Sequence, residues 1–286
     1  MHFSETPRQS AVAGQFYPDD SKVLREDILR YLNTRPPKMV DFRGRNVLSM
    51  LVPHAGYIFS GAIAGMTLGR MTLPDRVILL GPNHTGKGAP LSVWNGGSWL
   101  TPLGEVPVDK AAATALVDAN VGFCGDMDAH MREHSLEVVL PFFQVMNPNV
   151  RVTPITVANS SFDTLRAAGE AIADVVALAD EFGEKIMIVV SSDMSHYLPH
   201  EKAVAMDSLA LATAKTLDPE ALFTVVRDND ISMCGILPFI MSLFAVKRLG
   251  ANRLRVMAYA TSGQTGRAVG VDTNRVVGYA GLAVTQ

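Results

Sequence analysis

The chain has 286 residues, 48% of them hydrophobic and 19% charged, which is enough apolar material for a sizeable core and excludes a disordered chain. A formal net charge of −3, with no block of Lys and Arg on one periodic face, excludes non-specific nucleic-acid binding. The polar start Met1-His2-Phe3-Ser4-Glu5-Thr6-Pro7 has no apolar signal region, and Ile236–Val246, interrupted by Pro238 and Ser242, is too short to cross a bilayer. The expectation is a soluble cytoplasmic protein without a membrane partner. The two cysteines, Cys124 and Cys234, form no CxxC pair, so a Cys-rich structural zinc site is excluded and both thiols are expected to stay reduced.

In chain order, Val47–Val52 is an uncharged run ending at Pro53-His54-Ala55-Gly56, and Arg76–Leu80 leads into Gly81-Pro82-Asn83-His84. Residues 90–107, "PLSVWNGGSWLTPLGEVP", place Asn95-Gly96-Gly97 between two Trp-bearing runs, which predicts an appended β-hairpin or meander. A helix is expected over Leu136–Met146, a strand over Val152–Val157, and an amphipathic helix over Phe162–Ala179 with Ser161 as its N-cap. Lys185–Val190 reads as a strand running into Ser191-Ser192-Asp193-Met194-Ser195-His196. Helices follow at Val204–Thr216, at Glu220–Val226 behind Asp218-Pro219, and at Ile236–Leu249. Leu254–Tyr259 and Val276–Val284 close the chain as strands. Several strands are apolar at consecutive positions, as in a sheet covered on both faces. Alternation of strand and helix predicts one α/β domain, residues 1–286, with a central mostly parallel or mixed sheet between helices.

Three buried strands are each followed within a few residues by a histidine, and the chain has only seven. Ligands gather at the carboxyl ends of parallel strands, so His54, His84 and His196 are expected to converge on one cleft, with Pro53, Gly56, Gly81 and Pro82 shaping the turns. One histidine so placed would be an ordinary loop residue; three with the same placement suggest a site. His134 and Glu137 in "REHSLEVVLP" lie three apart at a helix start and share a face. Cys234, beside Gly235 at the start of an apolar helix, is either a small buried hydrophobe or a soft metal ligand. Cys124, His2, His130 and His200 read as structural.

"GPNHTGKG" nearly matches a phosphate-binding loop, but Gly88 replaces the hydroxyl and Pro82 lacks an N–H. No G-x-G-x-x-G follows a strand and no G-x-S-x-G exists. Ser191, Ser192 and Ser195 near Asp193 and His196 leave a serine hydrolase open, although residues so close in sequence seldom form a triad.

"AVAGQFYP", "LVPHAGYIFSG", "LGPNH", "EHSLEVVLPF", "VVSSDMSHY" and "CGILPF" together resemble the Memo family, whose prokaryotic members are called AmmeMemoRadiSam system protein B. The resemblance runs from about Ala11 to the last strand. The family is similar in fold to the class III extradiol, LigB-type dioxygenases. The resemblance implies a mononuclear metal site of His54, His84 and Cys234. Asp193 and His196 line the same pocket, His196 in the place of the dioxygenases' acid/base, while Glu133, His134 and Glu137 border it. Two imidazoles and a thiolate leave coordination positions open, and the thiolate makes the site softer than the carboxylate of the dioxygenases. Fe(II) is the first metal expected, with copper or zinc the alternatives.

Two functional classes follow. One is a metal-dependent, dioxygenase-like oxidoreductase. The other is a binding module that keeps the enzyme fold and holds a peptide or metabolite in the cleft, as eukaryotic Memo proteins are described as binding phosphotyrosine peptides. The system name further implies a functional link to a radical SAM protein and an AMMECR-like protein, whose iron–sulfur chemistry two cysteines could not support here.

Overall fold

A computed structural model describes residues 1–34 and 39–286 of the chain. Eleven strands are formed among the described residues: β1 Val47–Val52, β2 Arg76–Pro82, β3 Leu91–Val93, β4 Trp99–Thr101, β5 Gly104–Val106, β6 Phe123–Gly125, β7 Arg151–Val157, β8 Ile186–Ser191, β9 His196–Leu198, β10 Arg253–Thr261 and β11 Val276–Thr285. The helices are α1 Ser21–Asn33, α2 Tyr57–Leu68, α3 Lys110–Asp118, α4 Leu140–Met146, α5 Phe162–Glu181, α6 His200–Ala214, α7 Pro219–Asp228, α8 Ile236–Arg248 and the single turn α9 Ser262–Thr265. The main sheet runs β10-β11-β1-β8-β2-β7-β3-β6, and β9 pairs with β11. Its centre, β1-β8-β2-β7, is parallel, while β11 is antiparallel to β1 and β10 and β3 is antiparallel to β7. The sheet is therefore mixed.

Each central strand feeds two cores. In β1, Leu48 and Leu51 face one hydrophobic cluster while Val47, Met50 and Val52 face the other. In β2, Ile78 and Leu80 alternate in the same way with Val77 and Leu79. Every residue of both strands is buried, which is why the sequence reads as continuous apolar runs rather than alternation. Helices α5, α7 and α8 cover the first face; α1, α2 and α4 cover the second. No helix among the described residues is long and apolar enough to cross a membrane.

The expected hairpin over 90–107 is arranged differently. β3 joins the main sheet, and the two-stranded ladder is β4–β5, turning at Pro102-Leu103. The Asn95-Gly96-Gly97 stretch instead bonds the N-terminal arm: Ser4 N–H donates to Asn95 O at 2.8 Å, and Gly97 N–H to Thr6 O at 2.8 Å. Trp94 and Trp99, with ring centroids 5.8 Å apart, seal that junction. The expected helix over 136–146 begins as a 3-10 turn at Glu137–Val139 before α4.

Candidate metal centre

Parallel pairing puts the carboxyl ends of β1, β8 and β2 side by side, in that order. Val52 pairs with Ser191, so His54, two residues beyond β1, lies next to Asp193, two beyond β8. His84 lies two residues beyond β2. His196 arrives differently: the chain bends after Asp193 and His196 opens β9 against β11, so the third group delivered by a strand end is Asp193. Cys234 comes from the opposite direction, just before α8. A Cβ on Gly235 would lie 2.4 Å from Ser192 Cβ, so glycine there lets the start of α8 approach the end of β8 and seats the thiol over it.

The side chains of His54, His84 and Cys234 converge, with one ligand atom from each within 4.8 Å of the others. Cys234 Sγ is 3.4 Å from His54 Nε2. The hydrogen bonds behind the rings decide which nitrogens face inward. Ser191 Oγ donates its proton to Ser135 O at 2.5 Å, so toward His54 Nδ1, 2.8 Å away, it can only accept. His54 Nδ1 therefore carries the proton, and the bare Nε2 points at the thiol. Glu133 Oε1, 2.8 Å from His84 Nδ1, fixes the second ring in the same sense. A buried partner behind each imidazole is the support that metal-binding histidines require, so these residues fit a transition metal.

Glu133 is fully buried, and burial works against its charge. Its hydrogen bond to His84 and that from Ser135 N–H win and hold the carboxyl near about 2. Its Oε2 also accepts from His84 N–H at 2.5 Å. Burial lowers His84, but the Glu133 hydrogen bond and charge outweigh it and leave the imidazole raised. His54 is pushed well down, chiefly by burial and then by His134 and His84. Burial, followed by the charge of Asp193, raises the Cys234 thiol; a coordinated cation reverses that order and removes the proton.

His134 stacks on His84 with ring centroids 4.8 Å apart and meets His54 edge-on at 5.4 Å, so it stands beside the ligand set. His84, Glu133 and His134 form a second grouping of ligand-type atoms, but both Glu133 oxygens are already engaged by N–H donors. Asp193 accepts from His54 N–H at 2.9 Å. Burial raises its carboxyl to about 6 against the hydrogen bond from His54 and the pull of His196. Ser232 O lies 2.8 Å from His196 Nδ1; a carbonyl only accepts, so that nitrogen is N–H and Nε2 is free.

Glu137 is a correction. Although three residues from His134, it is fully buried and tied to the N-terminal arm: it accepts from Arg8 Nη1 at 2.6 Å, Ala11 N–H at 2.8 Å, Val12 N–H at 3.0 Å and Tyr17 OH at 2.7 Å. The expected helical face does not exist there, because residues 134–136 precede the 3-10 turn. The serine-hydrolase alternative also finds no support: Ser191 serves His54, Ser192 Oγ donates to Asp193 O, and Ser195 is fully buried beside Asp207, to which its N–H donates. Gly56 and Gly81 are not among the residues with positive φ; Gly81 lies within β2 and leaves room for Ser135 and Leu136. The residues that sequence reasoning missed are the ring supports, Ser191 with Ser135. Glu133 was visible only as part of a motif.

The imidazole and thiol donors gathered at the strand ends of this α/β sheet are a grouping of metal-ligand type. The chain matches the model for Memo-like proteins over residues 8–283. It is 37% identical to MEMO1 family protein MK0963 of Methanopyrus kandleri, covering 96% of this chain and 98% of that one. It is 38% identical to a MEMO1 family protein of Sulfolobus acidocaldarius, covering 95% and 97%. The chain belongs to the Memo family. Among solved structures it is similar in fold to an uncharacterized protein, JW3007, from Escherichia coli K12, with a TM-score of 0.54 at 16% identity, over 82% of this chain and 99% of that one.

Proposed function

We propose that this protein is a mononuclear, metal-dependent oxidoreductase. His54 Nε2, His84 Nε2 and Cys234 Sγ hold the metal, with Fe(II) ahead of copper or zinc. The observation that carries the reading is the convergence of these three donors within 4.8 Å, each imidazole aimed by a partner on its other nitrogen. Such a metal supplies a Lewis acid with open coordination positions and, if redox-active, a route for electrons. The chain supplies the proton chemistry. On this reading His196, whose Nδ1 is engaged by Ser232 O, takes a proton through Nε2 from a hydroxyl or thiol of a small molecule bound at the metal. His134 walls the cleft beside His84, and Asp193 holds the His54 backbone in place. Cys234 makes the donor set softer than a two-His, one-carboxylate site, so ring cleavage of a catechol is not carried over.

Metal analysis of protein purified without oxygen tests the reading. About one transition-metal ion per chain is expected, lost in His54→Ala and in Cys234→Ala. Oxygen uptake with a panel of catechols and thiols should appear only in the iron-loaded form. Absence of any bound metal would remove the proposal; ligand binding without turnover, indifferent to metal, would favour the non-catalytic binding module.

A further inference from the structure

The sheet has a second polar region at the end opposite the metal centre. A cavity of about 580 Å³ is lined by Arg45, Asn46, Asn252, Arg253, Arg255 and Gln286, among others. It sits where β1 begins, since Val47 and Arg253 both pair with Thr285. His54 follows the other end of β1, so the strand's length of roughly 20 Å separates the two sites. A smaller cavity of about 430 Å³ shares Arg253 and Arg255 and adds Lys215. No acidic side chain lines either cavity.

What marks this region is that three arginines share one cavity that no acidic side chain lines. Elsewhere Arg76, Arg151, Arg166, Arg227 and Arg248 each lie within 4.0 Å of a carboxylate. Among the described residues, Arg45, Arg253 and Arg255 have no carboxylate partner; Arg25, Arg132, Arg267 and Arg275 have none either, but only the first three are gathered in this cavity, in a chain that is net negative. Arg255 Nε is shielded from solvent and has no hydrogen-bond partner. The residue as a whole is half-buried, and an unpaired shielded donor is costly unless something else satisfies it. The rim is built: Asn46 Nδ2 donates to Gln286 Oε1 at 2.9 Å, and Gln286 Nε2 donates to Leu249 O at 2.8 Å. Arg45 N–H donates to Phe42 O at 2.9 Å, closing the turn that presents Arg45.

We propose that this cavity binds a small molecule carrying two or more phosphates. Planar guanidinium forks match phosphate oxygens in bidentate fashion, and three of them without counter-ions suit more than one negative charge. A concave pocket of this volume suits a small molecule rather than a nucleic-acid backbone. An adjoining cavity of about 800 Å³ shares Arg45 and Asn46 and is walled in part by Val47, Ile186 and Met187, which gives room for an organic remainder; it is also lined by Asp75 and by Glu184, the latter paired with Arg76 and Arg151, so the phosphates belong in the first cavity. The proposal is independent of the metal reading.

Pyrophosphate titrated calorimetrically into the full chain at low ionic strength is the test. One site per chain is expected, weakening as salt is raised. Arg255→Gln and Arg253→Gln should each weaken binding about tenfold, while His54→Ala should bind as the parent does. Circular dichroism checks the fold of each variant, and exposed Arg253 keeps the test valid should Arg255→Gln fail to fold. No binding, binding unchanged in both arginine variants, or binding lost in His54→Ala would each overturn the proposal; the last would place the anion at the metal centre.

Discussion

Ser191 and Glu133 do at the residue scale what His54 and His84 cannot do alone: they choose the nitrogen that each ring turns toward the donor cluster. Replacing Glu133 by Gln keeps the shape but removes the charge that holds His84, and Ser191→Ala frees the His54 ring. Each should lower affinity for Zn²⁺ or Fe²⁺ by about 10- to 100-fold in chelator-competition titrations, with the fold intact. His130 gives a separate pH signature. It is fully buried between Trp94 and Trp99, and Ser92 O lies 3.1 Å from its Nε2. Burial, then Arg8, lowers it to about 3. The unfolded chain takes up this proton first, near about pH 6.5. The stabilisation is whole above that pH and is lost as pH falls toward 3, by about 1.4 kcal/mol per unit. Urea unfolding across this range should show a shallower acid loss in His130→Gln. At this scale the sequence carried the donors but not their supports. A histidine after an apolar strand is visible in one dimension, and the grouping with Cys234 needed the family resemblance. Ser191 and Ser135 look like any other serines, because their meaning comes from a contact across 56 positions.

Among elements, α2 shows what periodicity does not reveal. It begins just beyond His54 and packs its small residues against α1, and its Ser60, Gly61, Ile63, Ala64, Gly65, Thr67 and Leu68 are all buried. A helix buried over most of its circumference has little amphipathic pattern, so the sequence does not announce it, whereas α5, with one buried face and Ser161 capping at Thr164 N–H, is plain. The α1–α2 contact is close because Gly65 has no side chain: a Cβ there would lie 2.4 Å from Tyr31 Cβ and 2.6 Å from the Tyr31 carbonyl carbon. Gly65→Ala should push the helices apart and lower stability by about 1–3 kcal/mol in denaturant melts. The β4–β5 ladder was legible as β structure but not in its pairing, since the Gly-Gly stretch is committed to the N-terminal arm.

Over the whole molecule, the α/β class and the long strands were legible because β1, β2, β7, β8 and β11 are buried on both faces and the half-buried β10 is still apolar in sequence, while the antiparallel entry of β11 beside β1 was not, since pairing direction leaves no trace in a local pattern. The N-terminal arm is the other long-range feature. Arg8 and Glu137 are both fully buried, and Arg8 also donates to His130 O at 2.7 Å and Glu133 O at 2.6 Å. The arm thus fastens the segment that carries Glu133 and His134 behind His84. Arg8→Met leaves the buried Glu137 without its cation, and should cost about 3–5 kcal/mol in urea unfolding. The central claim, that two imidazoles and one sulfur share a single metal ion, is tested most directly by X-ray absorption on the zinc-loaded chain. One sulfur at about 2.3 Å and nitrogen or oxygen scatterers at about 2.0–2.1 Å are predicted, with the sulfur shell lost in Cys234→Ala. A spectrum of the parent protein with no sulfur scatterer would contradict it.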